Sequence, residues 1–350
     1  MKILYLYNEV MGYTSSTIQQ LVSRNHDLHI VHWSTKKLTP YDFNSLKGVK
    51  ALPITSFSLF SLLTYVVQLD PDLVVVSGWS ELKYLFSCLY LRFMKKRVVV
   101  GLDGQLTSST KHTFLALLGK LRIFRCFYSH AWVSGVYQFE YAGHLGFSKD
   151  EIVFDLYSCD TSIFHSTDND VCNRLKSFTK TLVYTGRLES VKGLHCLASA
   201  WQRFKDSSPD SPWRLLIVGN GSLAPLFAKL NDVDVVPFQQ PEDLRDILLQ
   251  CHFAILPSTY EPWGVVLHEF ACLSLPIIAT QRVGSRTSFL IDKYNGFIFP
   301  SNDSDYLLDI LQILSSMSNE DLTRFSRNSR YLASRISPST SATNLLSLLT

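Results

Sequence analysis

Runs of consecutive apolar residues, separated by mixed segments of helical length, set the pattern of this 350-residue chain. KILYLY at 2–7 is the first run, ending in a loop with Gly12, and a helical pattern then leads to LHIVHW at 28–33. Further runs stand at 73–77, at 97–101 and at 131–135, the last opening a helix from Val136 toward His144. Val and Ile runs without polar alternation predict strands buried on both faces, as in a parallel sheet covered by helices. After Phe164 the stretch HSTDNDVCNRLKSFTK holds few large apolar residues and reads as a linker or boundary. The alternation then restarts with TLVYT, a helix over 193–204, WRLLIVG, a helix near 223–230, VDVVPF, a helix over 242–250, CHFAILPS and PIIAT. The expected fold is therefore α/β, with two facing doubly wound Rossmann-like domains and a cleft between them. The first domain spans 1–165 and the second 166–335. A C-terminal helix over 336–350, beyond the break at Ser337-Pro338, packs back toward the first domain.

Composition agrees with a buried core and excludes several classes. Hydrophobic residues make up 46% and charged residues 18%, which excludes bulk disorder. The longest apolar stretch, 56–69, is broken by serines and a glutamine and falls short of the roughly 20 residues a membrane span needs. The run after Met1-Lys2 ends at Asn8-Glu9, unlike a secretory signal. Seven scattered cysteines without a CxxC argue against a disulfide framework or a structural zinc and point to a reducing cytoplasm. The net charge of +3 hides an asymmetry: Lys83, Arg92, Lys95, Lys96, Arg97, Lys111, Lys120, Arg122 and Arg125 face only Asp103 in that stretch. Such a basic face is a solvated surface, or it meets an anionic membrane or a phosphate-bearing ligand. No nucleic-acid motif accompanies it.

In open parallel sheets ligands bind beyond the carboxyl ends of the strands. YTGRLESVKG at 184–193 turns at Gly186 and carries Arg187 and Lys192, two cations beside backbone donors that suit a diphosphate or, equally, a surface salt bridge. IVGNGS supplies Gly219 and Gly221, which any tight strand-to-helix turn favours. The loop at 8–15 has only Gly12, so the dinucleotide fingerprint is missing, and GxxxxGK[ST] is absent as well. YEPWGVVLHEF at 260–270 carries Glu261 and Glu269 eight positions apart. On one helix that is about 12 Å of rise, a poor spacing for a hydrolytic carboxylate pair. Pro262 suits the first turn of a helix, and Gly264 lets a ligand reach its free amides. The segment reads as a cradle for an anion at a helix start, with each glutamate accepting from hydroxyls.

The ordered set GRL…KG, VGNG and Pro257-Ser258-Thr259-Tyr260-Glu261-Pro262-Trp263-Gly264, on to Glu269, Ala271, Pro276, Ile278 and Ala279, resembles the retaining glycosyltransferases of family 4, with the GT-B fold. The similarity is strong over 180–300, and SGVYQFEYAGHLGF with YSCDTSIF resembles a bacterial surface-polysaccharide subgroup. The resemblance implies a C-terminal domain that binds a UDP- or GDP-linked sugar as substrate, with no metal and no further cofactor. Arg187 and Lys192 would neutralise the diphosphate beside the loops of Gly186, Gly219 and Gly221. Glu261 and the amides of Trp263, Gly264, Val265 and Val266 would hold the hexose and its phosphate. Glu269 would accept from the ribose, Pro237 and Phe238 would flank the base, and Gly12 would approach the donor from across the cleft. The implied activity is hexose transfer to a glycan or lipid-linked acceptor in cell-surface polysaccharide biosynthesis, in the cytoplasm and peripheral to the inner membrane face, with no nucleic acid as partner. Two positions depart from the pattern. Ser274 stands where glycine is usual, and Asp103 stands where many members have histidine. Asp103 either bonds the donor sugar or the acceptor hydroxyl as a catalytic group, or caps its own loop. A sugar-nucleotide epimerase or phosphorylase, or a non-catalytic donor-binding subunit, would share the same frame.

Overall fold

The computed structural model describes residues 1–33, 46–107 and 110–349, with the side chains of 111 and 112 excepted. The chain divides into two compact units, one of Met1–Ser158 with Ile336–Thr350 and one of Cys159–Arg335.

The first unit is built on parallel strands β1 (Lys2–Tyr7), β2 (Asp27–His32), β3 (Val49–Pro53), β4 (Leu73–Val76), β5 (Arg97–Leu102), β6 (His130–Val133) and β7 (Ile152–Val153), in the order β3-β2-β1-β4-β5-β6-β7. The helices between them are α1 (Gly12–Ser23), α2 (Leu59–Leu69), α3 (Leu82–Phe93), α4 (Thr110–Lys120) and α5 (Val136–His144). Strand side chains alternate between faces, and the core divides accordingly. Ile3, Tyr5 and Tyr7 join Ile18 and Leu21 of α1 on one face. Leu4 and Leu6 join Leu62 and Val66 of α2, Tyr84 and Cys88 of α3, Leu115 of α4 and Tyr141 of α5 on the other. Both faces are covered, which is why the strands read as unbroken apolar runs.

The second unit carries β8 (Lys180–Thr185), β9 (Trp213–Val218), β10 (Val233–Val236), β11 (Phe253–Leu256), β12 (Ile277–Thr280) and β13 (Gly296–Phe299), all parallel, in the order β10-β9-β8-β11-β12-β13. Its helices are α6 (Asp168–Leu175), α7 (Leu194–Ser207), α8 (Ala224–Phe227), α9 (Pro241–Leu249), α10 (Val266–Cys272), α11 (Arg286–Phe289), α12 (Ser304–Ser316) and α13 (Asn319–Ala333). A last helix, α14 (Pro338–Leu346), packs on α1 within the first unit, where Arg24 donates to Thr343 Oγ1 and to Ser339 O, each at 2.9 Å.

Two expectations are corrected here. The polar stretch after Phe164 is not a linker but holds α6, opened by a capping box in which Thr167 and Asp170 bond each other's amides. Its polarity is partly an anchor: the buried Arg174 guanidinium donates to Leu273 O at 3.0 Å, to Ser274 O and to Ser326 Oγ at 2.9 Å. Burial lowers that guanidinium to about 10. The units also part between Ser158 and Cys159 rather than at 165/166. Cys159 N–H already donates to His268 Nδ1 at 3.0 Å, and Ser166 Oγ donates to Cys272 O at 3.1 Å, so both belong with the second sheet.

Candidate active site

In each sheet the strand order reverses at one place, between β8 and β11 in the second unit and between β1 and β4 in the first. Loops leaving neighbouring strands on opposite sides of such a point open a crevice. The loops after β8 and β11 carry the strongest candidates, Arg187 and Lys192 in one and Glu261 in the other.

The two loops are stitched together. Thr259 N–H and Oγ1 both donate to Val191 O, at 2.9 and 3.0 Å. Gly193 sits in the left-handed region (φ 69°), and a Cβ there would stand 1.9 Å from Pro257 O. Only glycine permits that approach, and it seats Lys192 against the β11 loop. Lys192 Nζ pairs with Glu261 Oε2, each side chain only 14% exposed, and Ser258 Oγ donates to the same carboxylate at 3.3 Å. From the far side Glu261 N–H donates to Arg282 O at 3.2 Å and Gly284 N–H to Glu261 O at 3.0 Å, while Ser285 Oγ donates to Gly264 O at 2.7 Å. The segment from Ser258 to Gly264 is thus held by the loops after β8 and β12. Arg187 is exposed and makes no ion pair among the described residues, although its carbonyl accepts from Tyr184 Oη at 2.8 Å.

The loop after β9 packs directly on the loop after β8. Gly186 N–H donates to Val218 O at 3.0 Å and Leu188 N–H to Asn220 O at 2.9 Å. At Gly219 (φ 147°) a Cβ would lie 1.9 Å from Gly186 O, and beside Gly221 runs the Leu188 carbonyl. Asn220 Oδ1 accepts from Phe238 N–H at 3.1 Å, which brings Pro237 and Phe238, just past the end of β10, to the same edge.

Pro262 lies in the loop rather than in a first helical turn, because α10 starts only at Val266, after Gly264 and Val265. The Trp263 indole is buried, 3% exposed, edge-on to Phe289 at 6.3 Å. That side chain packs the core, so only its backbone is available to a ligand. Glu269 lies on α10 beside the buried His268, and its carboxylate has no hydrogen-bond partner among the described residues. Burial pushes its carboxyl up to about 7, against the lowering influence of His268. A desolvated carboxylate without a donor is an acceptor waiting for hydroxyls.

Gly12 and Asp103 belong to the first unit. Gly12 opens α1, and Asp103 follows β5. Asn8 ties the reversal there, its N–H donating to Ser77 Oγ at 3.1 Å and its Nδ2 to Ser80 Oγ at 2.8 Å. Asp103 keeps exposed surface, yet enclosure raises its carboxyl above the usual range, while bonds from its own N–H and the Tyr157 hydroxyl pull the other way. Tyr157 also meets Tyr13 edge to face at 4.5 Å. Sequence reasoning gave no role to Tyr13, Tyr157, Ser285 or Glu189, whose carboxylate accepts from Ser222 Oγ at 3.0 Å, and named Ser258 only as part of the motif. Tyr13, Tyr157 and Ser285 lie far apart in the chain and share no spacing that could have linked them.

Residues 169–331 match the family model described as glycosyl transferases group 1. That stretch is the second unit almost entire. The D-inositol 3-phosphate glycosyltransferase of Corynebacterium urealyticum is 30% identical over 149 residues, covering 39% of this chain and 35% of the relative. The O-antigen chain mannosyltransferase C of Escherichia coli is 29% identical over 157 residues, covering 42% and 40%. The chain therefore aligns with well under half the length of these relatives. Over the whole chain, HepE from Anabaena, solved in complex with UDP and glucose, is similar in structure with a TM-score of 0.74 at 16% identity, covering 100% of this chain and 99% of that one. A trehalose-6-phosphate protein of E. coli bound with UDP-2-fluoro glucose has a TM-score of 0.74 at 10% identity, covering 100% and 99%. The two parallel sheets are those of the two-domain, Rossmann-like GT-B fold.

Proposed function

We propose that this protein is a retaining glycosyltransferase that moves a hexose from a UDP- or GDP-linked donor to a glycan or lipid-linked acceptor in cell-surface polysaccharide biosynthesis. The observation that carries the reading is the sequestered Lys192–Glu261 pair, on the same unit as Arg187, which makes no ion pair among the described residues, and as Glu269. Two cations and two carboxylates fit a ligand with a dianionic centre and hydroxyls to either side. Arg187 and Lys192 stabilise the charge that grows on the diphosphate as the glycosidic C–O bond breaks, without calling on a metal. Glu261 accepts from sugar hydroxyls and Glu269 from the ribose. The acceptor oxygen bonds to the anomeric carbon on the face the diphosphate leaves, and its proton passes to the departing phosphate oxygen. Nucleoside diphosphate and the lengthened acceptor are the products. Asp103 is the candidate to orient the acceptor hydroxyl, and the basic stretch 83–125 supports work in the cytoplasm at an anionic membrane face.

A thermal-shift panel of nucleotide sugars tests the donor class, since a cognate ligand raises the melting temperature by linkage. Product analysis with the stabilising donor, with and without acceptor, then separates transfer from hydrolysis or epimerisation, and the anomeric configuration of the product decides retention. Lys192→Ala and Glu261→Ala should each abolish transfer. Near-normal turnover in either would overturn the assignment of the site.

A further inference from the structure

We infer that Cys159, His268 and Cys272 form a binding site for a thiophilic divalent cation of the zinc class within the second unit. Metal-ligand spacing is missing from the sequence because Cys159 stands 109 positions before His268. The fold closes that gap. One donor atom from each side chain, two sulfurs and a ring nitrogen, lies within 4.8 Å of the other two. Among the described residues no other three His, Cys, Asp or Glu side chains gather in this way. His268 and Cys272, four apart on α10, share one helix face. Cys159 Sγ meets Cys272 Sγ at 3.5 Å. Tetrahedral zinc holds each sulfur about 2.3 Å away, which sets two sulfurs about 3.8 Å apart. The two cysteines therefore already stand near the spacing that such an ion requires.

The groups around the three side chains suit the same ligand. Ala333 O can only accept, so His268 Nε2, 3.3 Å from it, carries the ring proton, and Nδ1 offers its lone pair on the cysteine side. Stacking on Phe289, with the ring centres 4.3 Å apart, holds the imidazole in that orientation. The lone pair accepts from Cys159 N–H at 3.0 Å, a bond that coordination replaces. His268, Cys159 and Cys272 are 0%, 1% and 9% exposed. Burial selects the charge of the ion. Two thiolates and a neutral imidazole cancel a divalent cation, whereas a monovalent one would leave net charge away from water. On binding, each protonated thiol gives its proton to solvent and its sulfur lone pair to the metal. The fourth tetrahedral position falls to a water. The ion would tie the first residue of the second unit to the end of α10, the helix that carries Glu269. It takes no part in the transfer step, and the inference stands whichever donor the protein uses.

Titration of the full chain with Co²⁺ and then Zn²⁺, after chelator treatment and in a phosphine reductant that keeps the thiols reduced, tests it. About one equivalent of Co²⁺ should bring up thiolate-to-cobalt charge-transfer absorption with the strong visible bands of a tetrahedral ion, and Zn²⁺ should abolish both by displacement. Zn²⁺ should also raise the melting temperature by linkage. Cys159→Ser and Cys272→Ser should each weaken Zn²⁺ binding at least about a hundredfold, since groups that merely orient a ligand already cost ten- to a hundredfold. Cys126→Ser and Cys172→Ser, at the two exposed cysteines, should leave the titration unchanged. Circular dichroism melts without metal show whether each variant folds. X-ray absorption of the zinc-loaded parent chain needs no variant and should count two sulfurs at about 2.3 Å and a nitrogen at about 2.0 Å. Absence of the charge-transfer band in the parent overturns the inference, as does a band that survives in folded Cys159→Ser or Cys272→Ser, or a zinc shell without two sulfurs.

Discussion

Replacing Glu269 with glutamine should make the protein more stable and worse at its job. The Glu269 carboxyl stands at about 7 because burial strips it of water, against an ordinary 4.5. A carboxyl raised in the folded state costs nothing below about pH 4.5, where both folded and unfolded chains hold the proton. Stability is then lost as pH rises toward 7, and the loss is complete above it. At about 1.4 kcal/mol per unit over roughly 2.5 units, the ceiling is about 3 kcal/mol, reduced by whatever part of the carboxyl water still reaches. Glutamine keeps the shape and does not titrate. The melting temperature of Glu269→Gln should therefore match the parent near pH 4.5 and exceed it progressively up to about pH 8, by at most about 12 °C at 2–4 °C per kcal/mol. Calorimetric scans across that range measure the gap. Donor titration should show the reverse trend, with the parent binding more tightly as pH rises through 7, because only the carboxylate accepts from two ribose hydroxyls, and with the variant weaker throughout. A stability gap that stays flat with pH would refute the desolvation argument. Unchanged donor affinity in the variant would refute the assignment to the ribose.

Arg187→Gln removes an unpaired cation and should weaken donor binding by roughly ten- to a hundredfold, the worth of a charge-assisted hydrogen bond, with little change in melting temperature; isothermal titration and a melt read both. Gly219→Ala puts a Cβ 1.9 Å from Gly186 O in a backbone region only glycine favours, and should cost about 3 kcal/mol in urea unfolding while loosening both phosphate-side loops. At Ser274, whose φ is 56°, glycine should outperform alanine by about 1 kcal/mol, since both lose the hydroxyl but only alanine keeps the left-handed strain. Paired unfolding curves of Ser274→Gly and Ser274→Ala check the difference.

Legibility in the sequence followed the physics of each element. Strands buried on both faces announce themselves as apolar runs, and KILYLY, LVVV and WRLLIV lie where the pattern put them. β3 (VKALP), with no fully buried residue, and β7, with two residues, carry too little apolar signal to stand out. α6 was invisible because its buried face includes Arg174, a charge whose donors are spent on Leu273, Ser274 and Ser326. Pro262 misled in the other direction. Proline tolerates a first helical turn, but it equally suits a loop, and the bonds of Glu261 to Arg282 and Gly284 hold that stretch as a loop.

The site itself shows a sharper division between residue type and residue neighbourhood. Arg187, Lys192, Glu261 and Glu269 could be named as anion and hydroxyl binders from their chemistry and their places at strand ends. That Lys192 meets Glu261, 69 positions later, follows from β8 lying beside β11, an order that hydrophobic periodicity does not encode. Ser274 joins the two kinds of information. Glycine is usual at that position in the family resembled because the chain turns left-handed just past α10, and serine holds the same turn by exchanging a hydrogen bond with Ser166 at 2.7 Å while its carbonyl accepts from Arg174. The substitution therefore preserves the end of the helix that carries Glu269, and the departure from the motif leaves the geometry of the candidate ribose contact in place.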